Sequence, residues 1–122
     1  LTQQRVVEAN WLGRKTGRGY YDYLTDASLP EPKTDRDLHQ MIVDRIVVML
    51  INEAVDALQL GIASKEDLDL AMTKGVNYPK GLLQWAQEKG YANCLSQLEA
   101  LQSEYGEDRY RPSPLLKKLA NS

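Results

Sequence analysis

The feature that most constrains the fold is residues 35–60, DRDLHQMIVDRIVVMLINEAVDALQL, which contain neither Pro nor Gly and are followed by Gly61. Thr34 and Asp35 carry side-chain oxygens that favour a helix N-terminus, and glycine often follows a helix C-terminus in the left-handed conformation. The pattern therefore predicts one long helix, spanning roughly 39 Å at ~1.5 Å per residue. Its middle, residues 46–51, is apolar on all sides, so we expect other elements to cover it on every side.

The remaining helices are predicted to be short and to pack around this central helix. Ser64, three residues before Asp67, resembles a capping box, and Pro114 suits the first position of a final helix that Ser113 caps. We find no alternation of strand period and no internal repeat, so the sequence predicts an all-α helical bundle. The predicted helices span residues 1–12, 64–75, 82–90, 91–105 and a last turn or two from 113. Four residues of the second are expected to form its buried face: Leu68, Leu70, Ala71 and Met72.

Two segments before the central helix differ from the rest in composition. Residues 13–23, GRKTGRGYYDY, combine glycines, cations and tyrosines, which predicts a glycine-bent loop entering a short extended segment. A phosphate-binding motif is not completed, because Arg14 stands where a P-loop has glycine and Asp22 stands where a third glycine would be. We interpret the loop as a structural turn anchored by its tyrosines, with a phosphate cradle as the alternative. Residues 25–33, TDASLPEPK, read as an extended linker and the main domain boundary.

Composition narrows the classes of function. The chain has 122 residues, 15 basic and 17 acidic, so its formal charge of −2 gives no reason to expect a nucleic-acid partner or a membrane-docking face. No apolar run reaches the ~18 residues that a membrane span requires. One Cys and one His exclude an intrachain disulfide and an ordinary zinc site, and they favour a reducing, cytoplasmic compartment.

Polar residues within the central helix are the first candidates for a functional role. Arg45, Asn52 and Asp56 fall near one face, which we interpret as a solvated or hydrogen-bonded stripe. Glu53 has largely apolar helical neighbours and is expected to be buried, where a carboxylate needs donors or a proton. Either a general base or a member of a structural network fits Glu53, and no second base accompanies it.

Other candidates lack partners. His39 is expected to be exposed near the helix start, and Cys94 to be a small core residue rather than a nucleophile. Lys80 and residues 109–111 offer cations that an anion would require, although such cations usually keep a surface solvated. From the residues alone, the chain shows no complete catalytic constellation, and we predict no catalytic, cofactor-binding or metal-binding residue in it.

A longer pattern adds a resemblance. Residues 44–81, DRIVVMLINEAVDALQLGIASKEDLDLAMTKGVNYPKG, resemble the C-terminal domain of the 3-hydroxyacyl-CoA dehydrogenases. The similarity is carried by Asn52-Glu53-Ala54, by the capping region from Gly61 to Asp69, and by Gly75, Pro79 and Gly81. It implies the helical fold of 6-phosphogluconate dehydrogenase-like C-terminal domains, in an NAD-dependent enzyme whose NAD-binding domain and catalytic His/Glu pair lie upstream. It also implies an acyl-CoA substrate for the full-length enzyme, a homodimer formed through this domain, and no cofactor bound by this chain.

The order of the motifs suggests tandem copies. The GRKTGRGYYDY segment resembles the end of such a domain but precedes the long helix here, so residues 1–33 are interpreted as the end of a preceding copy and residues 34–122 as a second copy. Bacterial members with two copies, which act on 3-hydroxybutyryl-CoA or 3-hydroxyadipyl-CoA in phenylacetate degradation, are similar. The resemblance thus places the chain as part of an enzyme of fatty acid or aromatic degradation.

One position departs from the family pattern. The family has an Asn immediately before an Arg on the long helix, near the reacting carbonyl, whereas this sequence has Asp44 before Arg45. A carboxylate cannot donate the amide hydrogen bond and would disfavour a developing oxyanion, so no catalytic role is assigned to Asp44. Two other hypotheses stay open: a free-standing helical protein-interaction module, and contact of the 13–23 loop with CoA.

Overall fold

The computed structural model describes residues 2–24 and 31–122, which form two compact units, Leu1–Thr34 and Asp35–Ser122. In the second unit, shorter helices and turns pack along one long helix, and the described residues form no strand. The prediction of an all-α bundle around a central helix is confirmed. The predicted 25–33 linker lies mostly outside the described residues, and the assignment of 1–33 and 34–122 to two domain copies stays a prediction.

The central helix of the second unit is α2, Arg36–Gln59, close to the predicted bounds. The Asp35 carboxylate accepts hydrogen bonds from the backbone N–H groups of Asp37 and Leu38, which satisfies two donors at the exposed N-terminus. After α2, Gly61 adopts φ +65°, a conformation that costs glycine least. Residues that directly flank the helix therefore determine where it begins and where it ends.

Four shorter helices pack against or near α2. They are α3 (Lys65–Leu70), α4 (Leu82–Lys89), α5 (Tyr91–Tyr105) and α6 (Pro114–Ala120), with a π-helical turn at Ala71–Gly75 and a 3-10 turn at Asp108–Tyr110. Ser64 caps α3 by accepting the Asp67 N–H at 3.1 Å, and Pro114 occupies the first turn of α6, as predicted. Ser113 stands at the N-cap position of α6, but its side chain makes no capping hydrogen bond there. Helix α2 contacts each of the four.

The core lies on one side of α2. Its fully buried members come from α2, α4, α5 and α6, and the largest of them are Val48, Ile51, Val55, Leu83, Leu98 and Leu116. The opposite side of α2 is open, since Ile46 is 47% exposed. The expectation that the apolar middle of α2 is covered on every side was wrong, because the four short helices surround only one face of it.

Two further expectations about burial and helix length were wrong. Leu70 and Ala71 are exposed, while Leu68 and Met72 are half-buried, because Leu68 and Met72, four residues apart, share one side of the helix and Leu70 projects from the other side. In the first unit, α1 spans Thr2–Glu8 and ends well before Leu12, since Asn10 adopts φ +57°.

The first unit also contains the glycine-rich loop. It holds a 3-10 turn at Arg14–Thr16 and is closed by a hydrogen bond from the Gly13 N–H to the Arg18 carbonyl at 2.8 Å. A Cβ at Gly19 would lie 2.8 Å from the Gly13 Cα, so this crossing of the chain requires glycine. The turn is thus confirmed, but Tyr20 and Tyr21 are 69% and 51% exposed and do not anchor it.

Candidate functional site

Asn52 is the most deeply buried polar side chain of α2, with 2% of its surface exposed. Its Nδ2 donates to the Arg111 carbonyl at 3.0 Å, and its Oδ1 accepts from the Ser113 N–H at 2.8 Å. The side-chain amide therefore matches both a donor and an acceptor of a chain segment about sixty residues further on. Of the two interpretations of the polar stripe, Asn52 fits the hydrogen-bonded one.

Gln59, two turns further along α2, extends this arrangement. Its Oε1 accepts from the Leu115 N–H at 2.7 Å and from the Ser113 hydroxyl at 3.4 Å. Leu115 is in the first turn of α6, where backbone N–H groups have no partner within the helix. We call Asn52 and Gln59 together the C-terminal clamp, since they hold the segment that enters α6.

A second long-range cap joins α3 to α4. The Asp69 carboxylate accepts from the Leu83 N–H at 2.7 Å and from the Gln84 N–H at 2.9 Å, at the N-terminus of α4. A negative charge there is also favoured by the helix dipole. A Cβ at Gly81 would overlap the Asp69 side chain, so Asp69 can occupy its capping position only when residue 81 is glycine. Both belong to the motif by which the sequence resembles a known family, and both have structural roles here.

Arg45 projects from α2 towards the end of α5 and the 3-10 turn. Its guanidinium donates to the Tyr110 hydroxyl, with Nε at 3.0 Å, and lies 4.2 Å from the centre of the Tyr105 ring. The hydrogen bond to Tyr110 raises the pKa of Arg45 further, so the side chain stays charged. Tyr110 is 1% exposed, and Arg45 therefore provides its hydroxyl with a partner inside the fold.

Asp44, the position that departs from the family pattern, forms an ion pair. Its Oδ1 lies 2.6 Å from the Lys89 Nζ at the end of α4, and its Oδ2 accepts from the Gln40 amide at 3.1 Å. These contacts, the one with Lys89 first, hold the pKa of Asp44 below its usual range. Asp44 is thus ionised and ties α2 to the α4–α5 corner.

A groove of about 470 Å³ runs between the N-terminal half of α2 and α5. Its apolar lining comes from Met41, Ile42, Ala100 and Leu101, and Asp44 and Glu104 lie at its polar edge. The lining also includes Gln97, whose Oε1 is buried without a hydrogen-bond donor among the described residues. The volume is within the range of small-molecule sites.

The remaining candidates from the sequence do not converge on this groove. Glu53 is exposed, so the expectation that it is buried was wrong. Its neighbours along α2, Met49, Leu50 and Ala57, are themselves only half-buried, because this side of the helix faces away from the core. His39 is exposed, as predicted. Cys94 is fully buried, and burial raises the pKa of its thiol, which opposes formation of the nucleophilic thiolate.

Two of the cations proposed as an anion site, Lys80 and Arg109, have partners of their own. Lys80 pairs with Glu88 and lowers the pKa of that carboxyl, and Arg109 pairs with Glu107. In the first unit, the Arg18 guanidinium lies 4.1 Å from the centre of the Trp11 ring and Arg14 lies 5.2 Å from that of Tyr23. The phosphate-cradle alternative gains no support from these contacts.

Neither a metal cluster nor a membrane span is found in the part of the chain that the structure describes. No group of three His, Cys, Asp or Glu side chains there is placed to hold a metal ion. No helix formed by those residues is long and apolar enough to cross a membrane. Within residues 2–24 and 31–122, the polar side chains form helix caps, ion pairs and clamps rather than a nucleophile with a base.

Comparison with known proteins identifies the family of the chain, which the geometry of these side chains alone does not. Residues 41–122 match the family model described as 3-hydroxyacyl-CoA dehydrogenase, C-terminal domain. A 3-hydroxyadipyl-CoA dehydrogenase of Escherichia coli K12 is 52% identical over 84 residues, which are 69% of this chain and 18% of that protein. A 3-hydroxybutyryl-CoA dehydrogenase of Clostridioides difficile is 33% identical over 113 residues, covering 90% of this chain and 40% of that protein.

Solved structures agree with the sequence matches. A crystal structure of 3-hydroxybutyryl-CoA dehydrogenase from Escherichia coli K12 superposes with a TM-score of 0.76 at 28% identity. The superposition covers 99% of the chain described here and 44% of the chain in that crystal structure. The chain therefore spans between 18% and 44% of the length of these relatives.

Proposed function

The chain belongs to the 3-hydroxyacyl-CoA dehydrogenase family as a C-terminal domain, and on that premise we propose that it is the helical part of a longer NAD-dependent 3-hydroxyacyl-CoA dehydrogenase. The single observation that carries the proposal is the match of residues 41–122 to this domain. In the proposed enzyme, NAD is bound by a domain upstream in the same polypeptide, and the acyl-CoA substrate is held between the two parts. We place the enzyme in the cytoplasm, in fatty acid or phenylacetate degradation.

The proposed role of this domain is to pack against the rest of the enzyme and to bring two copies together. The groove beside α2 and α5 supports a further assignment as part of the wall of the substrate cleft, since its lining is mostly apolar. Asp44 has no role in hydride transfer in this proposal, because it is paired with Lys89. The domain alone binds no cofactor and does not turn over substrate.

Residues 1–33 are proposed to be the end of a preceding copy of the same domain. None of the side chains that the structure describes in the first unit is buried, so this unit has no core of its own there. On this assignment residues 34–122 are a complete copy of the domain, so deleting residues 1–33 should leave the urea midpoint of residues 34–122 unchanged within error. A large fall in that midpoint would contradict the assignment.

A chimeric enzyme tests the main proposal. The segment of the Escherichia coli 3-hydroxyadipyl-CoA dehydrogenase that matches this chain is replaced by residues 35–122, and NADH oxidation with acetoacetyl-CoA is followed at 340 nm. We expect measurable turnover in the chimera and none in a control truncated at the junction. A folded chimera no more active than the truncated control would overturn the proposal, as would turnover by the 122 residues alone.

A further inference from the structure

The first unit holds a pocket between α1 and the glycine-rich loop. Its volume is about 440 Å³, within the range of small-molecule sites. Three aromatic rings line it, those of Trp11, Tyr20 and Tyr23. These side chains are 38%, 69% and 37% exposed, so a ligand can reach them. We call this site the aromatic pocket.

Internal hydrogen bonds hold the loop that carries two of these rings. The Gly19 N–H donates to the Tyr21 carbonyl, and the Tyr23 N–H donates to the Gly17 carbonyl, both at 2.8 Å. Backbone N–H groups that are paired in this way are not free to bind a phosphate, as those of a P-loop are. An anion in the aromatic pocket is therefore bound by side chains.

The side chains of the first unit are predominantly cationic. Residues 2–24 include four basic and two acidic residues, a formal charge of +2, in a chain whose total is −2. Lys15 lines the aromatic pocket and forms no ion pair with a carboxylate in the described part of the chain. The two acidic side chains, Glu8 and Asp22, accept hydrogen bonds from an amide of α1 and from a backbone N–H. The Lys15 ammonium is thus placed to attract an anionic group of a ligand.

Two arginines lie over rings of the aromatic pocket without lining it. Arg18 lies over Trp11 and Arg14 lies over Tyr23, at the distances given above. A cation over one face of a ring withdraws electron density from the other face, which favours stacking of an electron-rich planar group there. Adenine is such a group, and proteins commonly bind unpaired bases by stacking them on aromatic side chains.

We propose that the aromatic pocket binds the phosphorylated adenosine of an acyl-CoA. The adenine stacks on the rings of Trp11 and Tyr20, and the Lys15 ammonium binds the phosphates. A simple phosphate would leave the rings unused, and an uncharged base would leave Lys15 unused, so a phosphorylated base matches both features. The inference deepens the proposed function, on which the choice of CoA as the nucleotide rests. CoA also carries a 3′-phosphate that NAD lacks, and the charge of +2 favours the more anionic nucleotide.

Titration of adenosine 3′,5′-bisphosphate, which is the adenosine end of CoA, into the full chain tests the site. The chain has two Trp residues, so Trp85→Phe leaves Trp11 as the single fluorescent reporter. We expect saturable quenching of Trp11, because the adenine stacks on its ring. NAD should bind about tenfold more weakly, since it lacks the 3′-phosphate. Pantetheine, the part of CoA without the nucleotide, should cause no quenching.

Two pairs of variants locate the site. Tyr20→Ala should weaken binding about tenfold, whereas Tyr21→Ala, at a neighbouring exposed tyrosine that does not line the pocket, should bind like the unaltered chain. Lys15→Ala should weaken binding about tenfold and reduce its dependence on salt, whereas Lys117→Ala, on the exposed side of α6, should do neither. All four positions are exposed, so these substitutions test binding rather than folding, which far-UV circular dichroism checks.

Three results would each overturn the proposal: no quenching by adenosine 3′,5′-bisphosphate up to ~1 mM, equally tight binding of NAD or inorganic phosphate, or Tyr20→Ala and Lys15→Ala variants that bind like their controls. The chimera that tests the proposed function contains residues 35–122 and therefore lacks the pocket. An active chimera beside a chain that binds no nucleotide would refute the pocket and leave the proposed enzyme standing. An inactive chimera beside a chain that binds the bisphosphate would refute the enzyme and leave the nucleotide site standing.

Discussion

Replacing Asn52 by alanine removes the centre of the C-terminal clamp. The substitution leaves the Ser113 N–H and the Arg111 carbonyl without partners in a region where Asn52 and Ser113 are 2% and 1% exposed. A buried polar group left unpaired costs about 1–3 kcal/mol, so two such groups, partly relieved by water at the exposed Arg111, imply a loss of about 2–4 kcal/mol. This is a large fraction of the ~5–15 kcal/mol that stabilises a typical domain.

Urea denaturation followed by Trp fluorescence and circular dichroism measures this loss. With an m-value of about 1.5 kcal/mol per M, the midpoint should fall by roughly 1.3–2.7 M. Asn52→Asp should be destabilised at neutral pH, because a carboxylate would face the Arg111 carbonyl, and should recover partly near pH 4, where a protonated carboxyl can donate. Glu53→Ala, at the next and exposed position, is the matched control and should change stability by less than ~0.5 kcal/mol. A loss below ~0.5 kcal/mol for Asn52→Ala at unchanged m would refute the clamp.

Three further predictions concern the other contacts. Gly81→Ala should destabilise the chain by about 1–3 kcal/mol through overlap with Asp69, as thermal unfolding would show; an unchanged Tm would contradict it. The folded-state pKa of Asp44 is lowered, so its pairing with Lys89 contributes its full stabilisation above the unfolded pKa of ~3.9 and loses it as the pH falls through the folded value. Asp44→Asn should therefore cost about 0.2–1 kcal/mol at pH 7 and progressively less as the pH is lowered below ~3.9, in a comparison of urea midpoints. The buried Cys94 thiol should react with Ellman's reagent only at the rate of unfolding, and rapid labelling of the native chain would disprove its burial.

The sequence predicted best those features that are encoded locally. Asp35 and Gly61 mark the ends of α2, and Ser64 marks the start of α3, because caps involve residues only a few positions apart. The motif that resembles the dehydrogenase family was also visible, since it is a pattern of residue types in order. The ends of the helices and the membership of the family could thus be predicted from the sequence alone.

Burial was predicted less well, because it depends on which side of a helix the other elements occupy. Glu53 has apolar neighbours in sequence but lies on the exposed side of α2, and Ile46 is exposed although the residues around it are apolar. Asp69 and Gln59 gave no local sign of capping helices that begin 13 and 55 residues later. Only the tertiary fold brings such partners together, and a periodic pattern in one helix does not contain it.

The C-terminal clamp also sets an order of events during synthesis. Asn52 and its partner Ser113 are 61 residues apart. At a translation rate of ~5–20 residues per second, roughly 3–12 s separate the synthesis of Asn52 from that of Ser113. Until residues 113–116 are made, the apolar face of α2 that Leu116 covers and the amide of Asn52 that Ser113 pairs with lack these partners. The segment that enters α6 therefore ends the exposure of one face of α2.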